Sequence, residues 1–223
     1  MSRACVRCPW PGTDPLYLAY HDELWGVPLM DDGGLFALLI LEGAQAGLSW
    51  ITILRRMPGY LEAFEGLDPH KMALYDEEDI NRLMNNPGII RNRRKIQSAV
   101  GNARAFLEFQ AREGSFATFL WSAVDGRPVD RGAQTMADVP ASTRESEVLS
   151  RELKRRGFSF CGPTIVYALM QAAGLVNDHL RDCFRYEQIR ELPLANPEDI
   201  DYNATVRYGR WIHEHCFFPV AQK

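Results

Sequence analysis

The sequence predicts an all-α protein made of short helices joined by tight turns. Apolar side chains recur every three or four residues along most of the chain, which is the spacing of a helix with one buried face. The alternating pattern of a half-buried strand is scarce, and glycine, proline and capping residues divide the helical stretches. The chain has 223 residues, of which 46% are hydrophobic and 24% charged, so it can bury a core without disulfide bonds.

The net charge and the cysteines narrow the class of protein. A net charge of −4 argues against a strongly basic nucleic-acid coat, although it permits a local basic face. The five cysteines are an odd number, and the N-terminal sequence lacks the pattern of a secretory signal peptide. We therefore expect a reducing, cytoplasmic compartment.

The most apolar helix is predicted to begin near Gly34, where Asp31 and Asp32 can cap its start. It reads "LFALLILEGAQAGLSW" and is apolar all round in its first two turns, so it should be buried. Residues 35–54 are apolar enough that a membrane-spanning helix is an alternative. Glu42 within them would be costly in a bilayer, and we expect no membrane segment.

Short helices and a sharp turn are predicted to follow. Pro58-Gly59 is expected to break the chain, and Pro87-Gly88 is expected to stop a helix within a turn at residues 85–88. A new helix is predicted to restart at Ile89. Four apolar residues at helical spacing give its buried face: Ile96, Val100, Ala103 and Leu107.

The last third of the chain predicts a connector and two further helices. Residues 125–140 have the glycine, proline and aspartate content of a connector. The next helix is predicted to be capped by Ser142 or Thr143, with a glutamate soon after, and to end at Gly157. "GPTIVYALMQAAGL" then predicts a buried helix that leads to a polar turn with His179.

Several cysteines and histidines have the spacing of metal ligands. His179 and Cys183 are four residues apart and would share a helix face, and Cys8 with His21 could complete a structural Cys2His2 zinc site. Such a site would tie the two ends of the chain together. Cys5-x2-Cys8 and the "HEHC" stretch at residues 213–216 are competing half-sites, and unconnected buried residues are a further alternative.

The stretch "NPGIIRNRRKI" predicts a phosphate-binding hairpin. A glycine turn before a helix N-terminus can direct backbone N–H groups and the helix dipole at a phosphate. Residues 88–104 contain no acid and five basic residues, which suits a nucleic-acid backbone: Arg91, Arg93, Arg94, Lys95 and Arg104. The alternative is an ordinary solvated helix face.

Glu42 is the single charged residue between Gly34 and Trp50, and a buried carboxylate is costly unless it is paired or functional. Aromatic residues surround it in the sequence: Trp50 downstream, and Trp10, Tyr17, Tyr20 and Trp25 upstream. Aromatic rings with one acid make a good container for a flat, cationic base. The alternatives are a helix-end glutamate that reaches solvent and aromatic residues that belong to the core.

Five stretches together carry a resemblance to a known family: "DPLYLAYHDELWGVP", "LEGAQAGLSWITIL", "NPGIIRNRRKIQSAVGNARAFL", "KRRGFSFCGPTIVY" and "MQAAGLVNDH". From about Cys8 to about Tyr186 the chain resembles the DNA-3-methyladenine glycosylase I family. The resemblance implies the helix-hairpin-helix DNA glycosylase fold, with the hairpin near residues 80–107 of a single unit over 1–186. Residues 187–223 would be a C-terminal extension of unassigned role.

The resemblance also implies roles for individual residues. One structural Zn²⁺ would join the N- and C-terminal regions through Cys8, His21, His179 and Cys183, so His21 would be a metal ligand and not a base. Glu42 would recognise the base in a pocket lined by Tyr20 and Trp50, and by Trp10, Tyr17 and Trp25. DNA would contact the hairpin and a turn that probes the gap left by a flipped nucleotide: Gly88, Ile89, Ile90, Arg91, Arg93 and Lys95 in the hairpin, and Gly47 and Leu48 in the turn.

The implied activity is monofunctional hydrolysis of the N-glycosidic bond of 3-methyladenine after base flipping. The expected partner is alkylated double-stranded DNA, and we expect a monomer with no obligate protein partner. The chain departs from the family in its length after Tyr186 and in Asn86-Pro87 before the hairpin glycine. A zinc-stabilised module that binds nucleic acid without catalysis is the alternative, and it would need the hairpin but not Glu42.

Overall fold

The computed structural model describes residues 5–192 together with Trp211 and His215, and these residues are mostly helical. The helices are α1 (Pro15–Glu23), α2 (Asp32–Gln45), α3 (Trp50–Leu54), α4 (Met57–Ala63), α5 (Pro69–Met72), α6 (Glu77–Met84), α7 (Arg93–Glu113), α8 (Phe116–Ser122), α9 (Arg144–Arg155), α10 (Pro163–Ala172) and α11 (Phe184–Arg190). Two short strands, β1 (Val129–Asp130) and β2 (Val176–Asn177), form a parallel pair. The predicted all-α class is confirmed.

Helix α2 is the centre of the core and packs against α3, α7, α8 and α10. Its cap is as predicted, since the Asp31 carboxylate accepts a hydrogen bond from Gly34 N at 2.6 Å. The Asp32 carboxylate fixes α2 to the start of α8 by accepting from the amides of Phe116 at 3.0 Å and Ala117 at 2.7 Å. The apolar run continues into α3 only after a turn at residues 46–49, and no helix within the described residues is long and apolar enough to cross a membrane.

The expected chain break at Pro58-Gly59 is wrong. Both residues lie in the first turn of α4, where proline loses no helical hydrogen bond, and the helices separate earlier, at residues 55–56. Gly59 instead permits a close approach, because a Cβ atom there would overlap the backbone of Gly88. Helix α4 therefore supports the turn between α6 and α7.

The expected helix start at Ile89 is also wrong. Helix α7 begins at Arg93, and its cap is Asn92, whose side chain accepts from Lys95 N at 3.2 Å. Residues before it are held by tertiary contacts: Ile89 is buried, and Ile90 N donates to the Tyr60 hydroxyl at 3.3 Å. Of the predicted apolar face, Ile96, Val100 and Ala103 are buried and Leu107 packs against the core half-buried.

The later elements largely follow the sequence signals. Thr143 caps α9, and Gly157 after it has the left-handed φ of +89° expected of a helix stop. The capping partner is Ser146, however, and not a glutamate. The 125–140 connector contributes β1 and a 3₁₀ turn at Met136–Asp138. Helix α11 runs across residue 186, and the division into a 1–186 unit and an extension stays a prediction.

Candidate active site and metal centre

A cavity of about 320 Å³ lies between α1, α2, the start of α3 and α10, with the 136–141 segment along its side. Its lining contains all five aromatic residues that the sequence places in a pocket, together with Glu42. The other lining residues are Gln45, Met136, Val139, Pro140, Ala141, Thr164, Tyr167, Ala168, Gln171 and Asp178. The structure thus brings the predicted pocket residues together, but they form only one wall.

The aromatic wall is a chain of rings in mutual contact. Trp10 lies edge-on to Tyr17 and Trp25, at centroid distances of 4.9 and 5.0 Å, and Tyr20 lies 5.6 Å from Trp50. The indole N–H groups of Trp10 and Trp50 are buried and have no acceptor among the described residues. Rings fixed by one another in this way offer preformed electron-rich faces to a ligand.

Glu42 lies near the end of α2 and is only 3% exposed, so the alternative of a solvated helix-end glutamate is wrong. Burial raises the pKa of this carboxyl to about 8, because a charged carboxylate is poorly solvated there. None of the described residues that line the cavity is basic, whereas two are acidic. The cavity therefore favours a cation, which would lower the pKa of Glu42 and stabilise its ionised form.

The cavity lining also carries a polar group that the sequence analysis missed. The Asp178 carboxylate accepts hydrogen bonds from the Tyr167 hydroxyl at 2.5 Å and from Gln171 Nε2 at 2.8 Å. Its second oxygen, Oδ1, is buried and has no partner within the described residues. Tyr167 and Gln171 are four residues apart on α10, so their shared face was available as a signal, but the apolar helix around them suggested core.

The metal-ligand prediction is matched by a buried cluster of Cys8, His21, His179 and Cys183, whose ligand atoms all lie within 4.8 Å of one another. The Sγ atom of Cys8 is 3.7 Å from His179 Nδ1, and the Sγ atom of Cys183 is 3.6 Å from both His21 Nε2 and His179 Nδ1. Ligands of one tetrahedral Zn²⁺ would be about 3.6 Å apart as sulfur–nitrogen pairs, given the usual bond lengths. The donor set and spacing therefore fit a metal ion of this kind.

Neighbouring groups orient both imidazoles toward the centre of the cluster. Nδ1 of His21 lies 2.8 Å from the Asp22 carboxylate, and Nε2 of His179 lies 3.1 Å from the carbonyl oxygen of Trp25. Each of these ring nitrogens must carry the proton, which leaves the other nitrogen free as a ligand. Burial lowers the pKa of His179, so this imidazole is neutral, as metal binding requires.

Of the competing half-sites, Cys8 belongs to this cluster, whereas Cys5 and His215 do not. Cys5 is exposed and free. Within "HEHC", His215 lies against Trp211, while His213 and Cys216 fall outside the described residues. His21 does not line the cavity, in agreement with a ligand role and not a base role. The cluster joins the segment before α1, and α1 itself, to the segment between β2 and α11.

The hairpin between α6 and α7 uses part of its polar groups internally. Gly88 N donates to the Asn86 side chain at 2.7 Å, and Arg93 pairs with Glu77. The Lys95 ammonium donates to two backbone carbonyls at the end of α2, those of Ala44 at 2.8 Å and Ala46 at 2.7 Å. By contrast, Arg91 and Arg94 are exposed and make no ion pair or side-chain hydrogen bond within the described chain. The DNA contacts of this hairpin stay predictions.

Lys95 also fixes the turn that carries Gly47 and Leu48. Its two carbonyl acceptors precede Gly47, which has a left-handed φ of +78° that favours glycine. Gln45 Nε2 closes the turn by donating to the Leu48 carbonyl at 2.7 Å. The Leu48 side chain is 37% exposed, as a residue that probes a gap in DNA would need to be, and this role stays a prediction.

Comparisons with known proteins place the fold among the DNA glycosylases. Residues 10–186 match the family model described as methyladenine glycosylase. The DNA-3-methyladenine glycosylase 1 of Escherichia coli K12 is 50% identical over 180 residues, covering 81% of this chain and 96% of that protein. The Haemophilus influenzae DNA-3-methyladenine glycosylase is 46% identical over 178 residues, covering 80% of this chain and 96% of that protein.

Solved structures agree. A crystal structure of a 3-methyladenine DNA glycosylase I superposes with a TM-score of 0.79 at 51% identity, covering 80% of this chain and 98% of that one. The structure of the Staphylococcus aureus enzyme, which describes the basis of its 3-methyladenine recognition, superposes with a TM-score of 0.79 at 41% identity. The match covers 87% of this chain and 100% of that one. The chain belongs to the methyladenine glycosylase family, so the predicted family and its helical fold are confirmed.

Proposed function

We propose that the protein hydrolyses the N-glycosidic bond of 3-methyladenine in alkylated double-stranded DNA. The observation that carries the proposal is Glu42, a buried acid in an aromatic cavity whose described lining includes no basic group. The names of the relatives, which are DNA-3-methyladenine glycosylases, support the same substrate. Such a cavity selects a flat, cationic base over a neutral one.

The reaction needs no general acid for the leaving group. Adenine methylated at N3 is a cation in the nucleotide and leaves as a neutral molecule when it takes the electron pair of the C1′–N9 bond. A water oxygen then bonds to C1′ and releases a proton to solvent. The protein accelerates this step by binding and electrostatics, because the Trp50 face and the ionised Glu42 stabilise positive charge. Unmodified adenine has no such charge and leaves poorly.

The cavity is reached only by a base that has left the duplex, since chemistry on a stacked base is sterically blocked. Flipping costs a few kcal/mol, and less for a damaged base. We propose that Leu48, on its fixed turn, occupies the gap in the stack while Arg91 and Arg94 hold the backbone. The described cavity lining contains no lysine, so we expect no Schiff base with the sugar and no strand cleavage.

We further propose that Cys8, His21, His179 and Cys183 bind one structural Zn²⁺. All four ligand positions would be filled by protein, which leaves none for water or substrate, so the metal would stabilise the fold and take no part in catalysis. Its binding would join segments that are 171 residues apart at Cys8 and His179.

The test of the proposed function is base release from duplex DNA treated with a methylating agent. Free bases are separated by chromatography after incubation with the purified protein. We expect release of 3-methyladenine with the DNA backbone left intact. A folded protein that binds this DNA and releases no base would contradict the enzyme and favour a binding module.

A pH dependence follows from Glu42. Because burial raises its pKa to about 8, only about a tenth of the free enzyme has the ionised carboxylate at pH 7. We expect kcat/KM for 3-methyladenine release to rise about tenfold between pH 7 and pH 9, after subtraction of spontaneous release. A flat profile over this interval would exclude a titrating Glu42 from substrate binding.

The hairpin arginines give a prediction for DNA binding. The double variant Arg91→Ala/Arg94→Ala should bind duplex DNA more weakly and reduce the slope of log K against log salt by about 1 to 2, since each phosphate contact releases a counterion. Fluorescence anisotropy between 50 and 200 mM salt, roughly the range where such slopes are measured, provides the test. Arg112→Ala, roughly 25–30 Å along α7, is the control and should leave the slope unchanged.

A further inference from the structure

Trp211 lies outside the part of the chain that the family match covers, yet it belongs to the core. The match ends at residue 186, and the curated relatives align over 96% of their own lengths. Trp211 is nevertheless only 5% exposed and packs in the same apolar cluster as Tyr20. This chain therefore places a large aromatic side chain next to the cavity from a segment beyond the shared region.

We propose that Trp211 is a positioning residue that holds Tyr20 in the wall of the base cavity. The inference rests on the proposed function, because it assigns Trp211 a role in forming that binding site. The Trp211 ring meets the Tyr20 ring edge-on, at a centroid distance of 6.4 Å and an interplanar angle of 73°. Tyr20 also meets Trp50 at 5.6 Å, so Tyr20 contacts both Trp211 and a second residue of the cavity wall.

Trp211 is itself fixed to α1 by polar contacts. Its Nε1 donates to the Glu23 carboxylate at 2.7 Å, and Glu23 lies three residues after Tyr20 on α1. Residues three apart share a helix face, so Trp211 contacts α1 at two adjacent points. His215 adds a third constraint, since its ring stacks on Trp211 at 4.6 Å and its Nε2 lies 3.4 Å from the same carboxylate.

The position of Tyr20 depends on this support for a packing reason. Tyr20 is 1% exposed, and interiors are packed without spare volume. Removing the Trp211 indole would leave space behind the Tyr20 ring into which the ring and α1 can shift. A shift of about 1 Å in a ring that contacts the base is enough to weaken binding and alignment of the substrate substantially.

The test measures the surroundings of Tyr20 directly and then catalysis. The protein is labelled with fluorotyrosine, and the Tyr20 signal among the eight tyrosines is assigned from a Tyr20→Phe variant by ¹⁹F NMR. We expect Trp211→Ala to move or broaden the Tyr20 signal and to lower kcat/KM for 3-methyladenine release about tenfold, mainly through a higher KM. Trp211→Phe keeps an aromatic ring, so its Tyr20 signal and its kcat/KM should both be close to those of the wild type.

A second buried tryptophan provides the matched control. Trp121 is 2% exposed and its Nε1 donates to the Leu29 carbonyl at 2.9 Å, but it does not line the cavity. Trp121→Ala should lower Tm comparably while the Tyr20 signal and kcat/KM stay unchanged, measured where both variants are folded. Should Trp211→Ala fail to fold, Glu23→Ala keeps the Trp211 ring, removes the carboxylate that contacts Trp211 Nε1 and His215 Nε2, and should produce a smaller shift of the same signal.

The outcomes separate this inference from the proposed function. If the Trp211 variants lower Tm but leave the Tyr20 signal and the KM unchanged, Trp211 is merely structural and the inference is overturned. If the wild type releases no 3-methyladenine while Trp211→Ala still moves the Tyr20 signal, the positioning role stands and the proposed function fails. If the wild type releases 3-methyladenine and Trp211→Ala leaves the Tyr20 signal unmoved, the proposed function stands and the positioning role fails.

Discussion

Replacing Glu42 with glutamine should reduce 3-methyladenine release by about 10²- to 10³-fold, which is the usual effect of removing one preorganised electrostatic group. Glutamine keeps the size and one acceptor of the side chain but cannot supply negative charge opposite a cationic base. The loss should therefore appear in excision and in the pH dependence of kcat/KM, which would become flat. The measurement is base release by wild type and Glu42→Gln side by side, over pH 6 to 9.

The folding stability of Glu42→Gln separates lost chemistry from a lost fold. The pKa of Glu42 is raised from 4.5 to about 8 in the folded protein by burial. Between these values the unfolded chain is ionised and the folded protein holds its proton, so the free energy of unfolding of the wild type falls as pH rises from 4.5 to 8. Glutamine does not titrate, so the variant should equal or exceed the wild type in Tm at pH 8.

Glu62→Gln serves as the control, because Glu62 is an exposed glutamate on α4 and should affect neither release nor stability. Normal excision by Glu42→Gln would remove Glu42 from the mechanism. Loss of excision together with a lower Tm at pH 8 would mean that the side chain is structural, and the electrostatic role would then be wrong.

The sequence predicted the helices best where the signal is local. The cap at Asp31, the cap at Thr143 and the stop at Gly157 depend on neighbouring residues, and the structure has all three. The two wrong boundaries have non-local causes. A proline such as Pro58 can end a helix, but it also fits the first turn of one, which is where the structure has it. Ile89 is buried against the core, and this packing keeps it outside α7.

The site shows the same limit more clearly. Spacing identified His179 and Cys183 as a half-site, but the predicted shared helix face is wrong, because both residues lie in the turn between β2 and α11. Spacing also could not choose between Cys5, Cys8 and "HEHC" for the other half, since only the fold brings Cys8 to His179 across 171 residues. The polar group around Asp178 was missed because Tyr167 and Gln171 lie on a helix whose apolar sequence suggested core, and only the fold brings Asp178 to them. The contact of Trp211 with Tyr20 is likewise a product of tertiary packing.

On the proposal that the four residues bind zinc, replacing Cys183 with serine should remove the ion and lower the free energy of unfolding by about 5 kcal/mol, the loop-closure entropy of joining Cys8 to His179 across 171 residues. For a chain of this size that corresponds to a fall in Tm of about 10 °C or more. Metal content is measured by mass spectrometry of the purified protein, and Tm by circular dichroism. Cys5→Ser is the matched control, because Cys5 is exposed and lies three residues from a ligand without joining the cluster.

A chelator sharpens this test, because it should lower the Tm of the wild type toward that of Cys183→Ser and leave the variant unchanged. Zinc loss with an unchanged Tm would exclude the structural role, and retained zinc would exclude Cys183 as a ligand.

Loss of the metal should also change the kinetics of excision. His21 adjoins Tyr20 and His179 adjoins Asp178 in sequence, and both neighbours line the cavity. Losing the metal should therefore loosen the cavity walls and raise KM, while the folded fraction keeps most of its kcat, because the ion is not among the groups that contact the base.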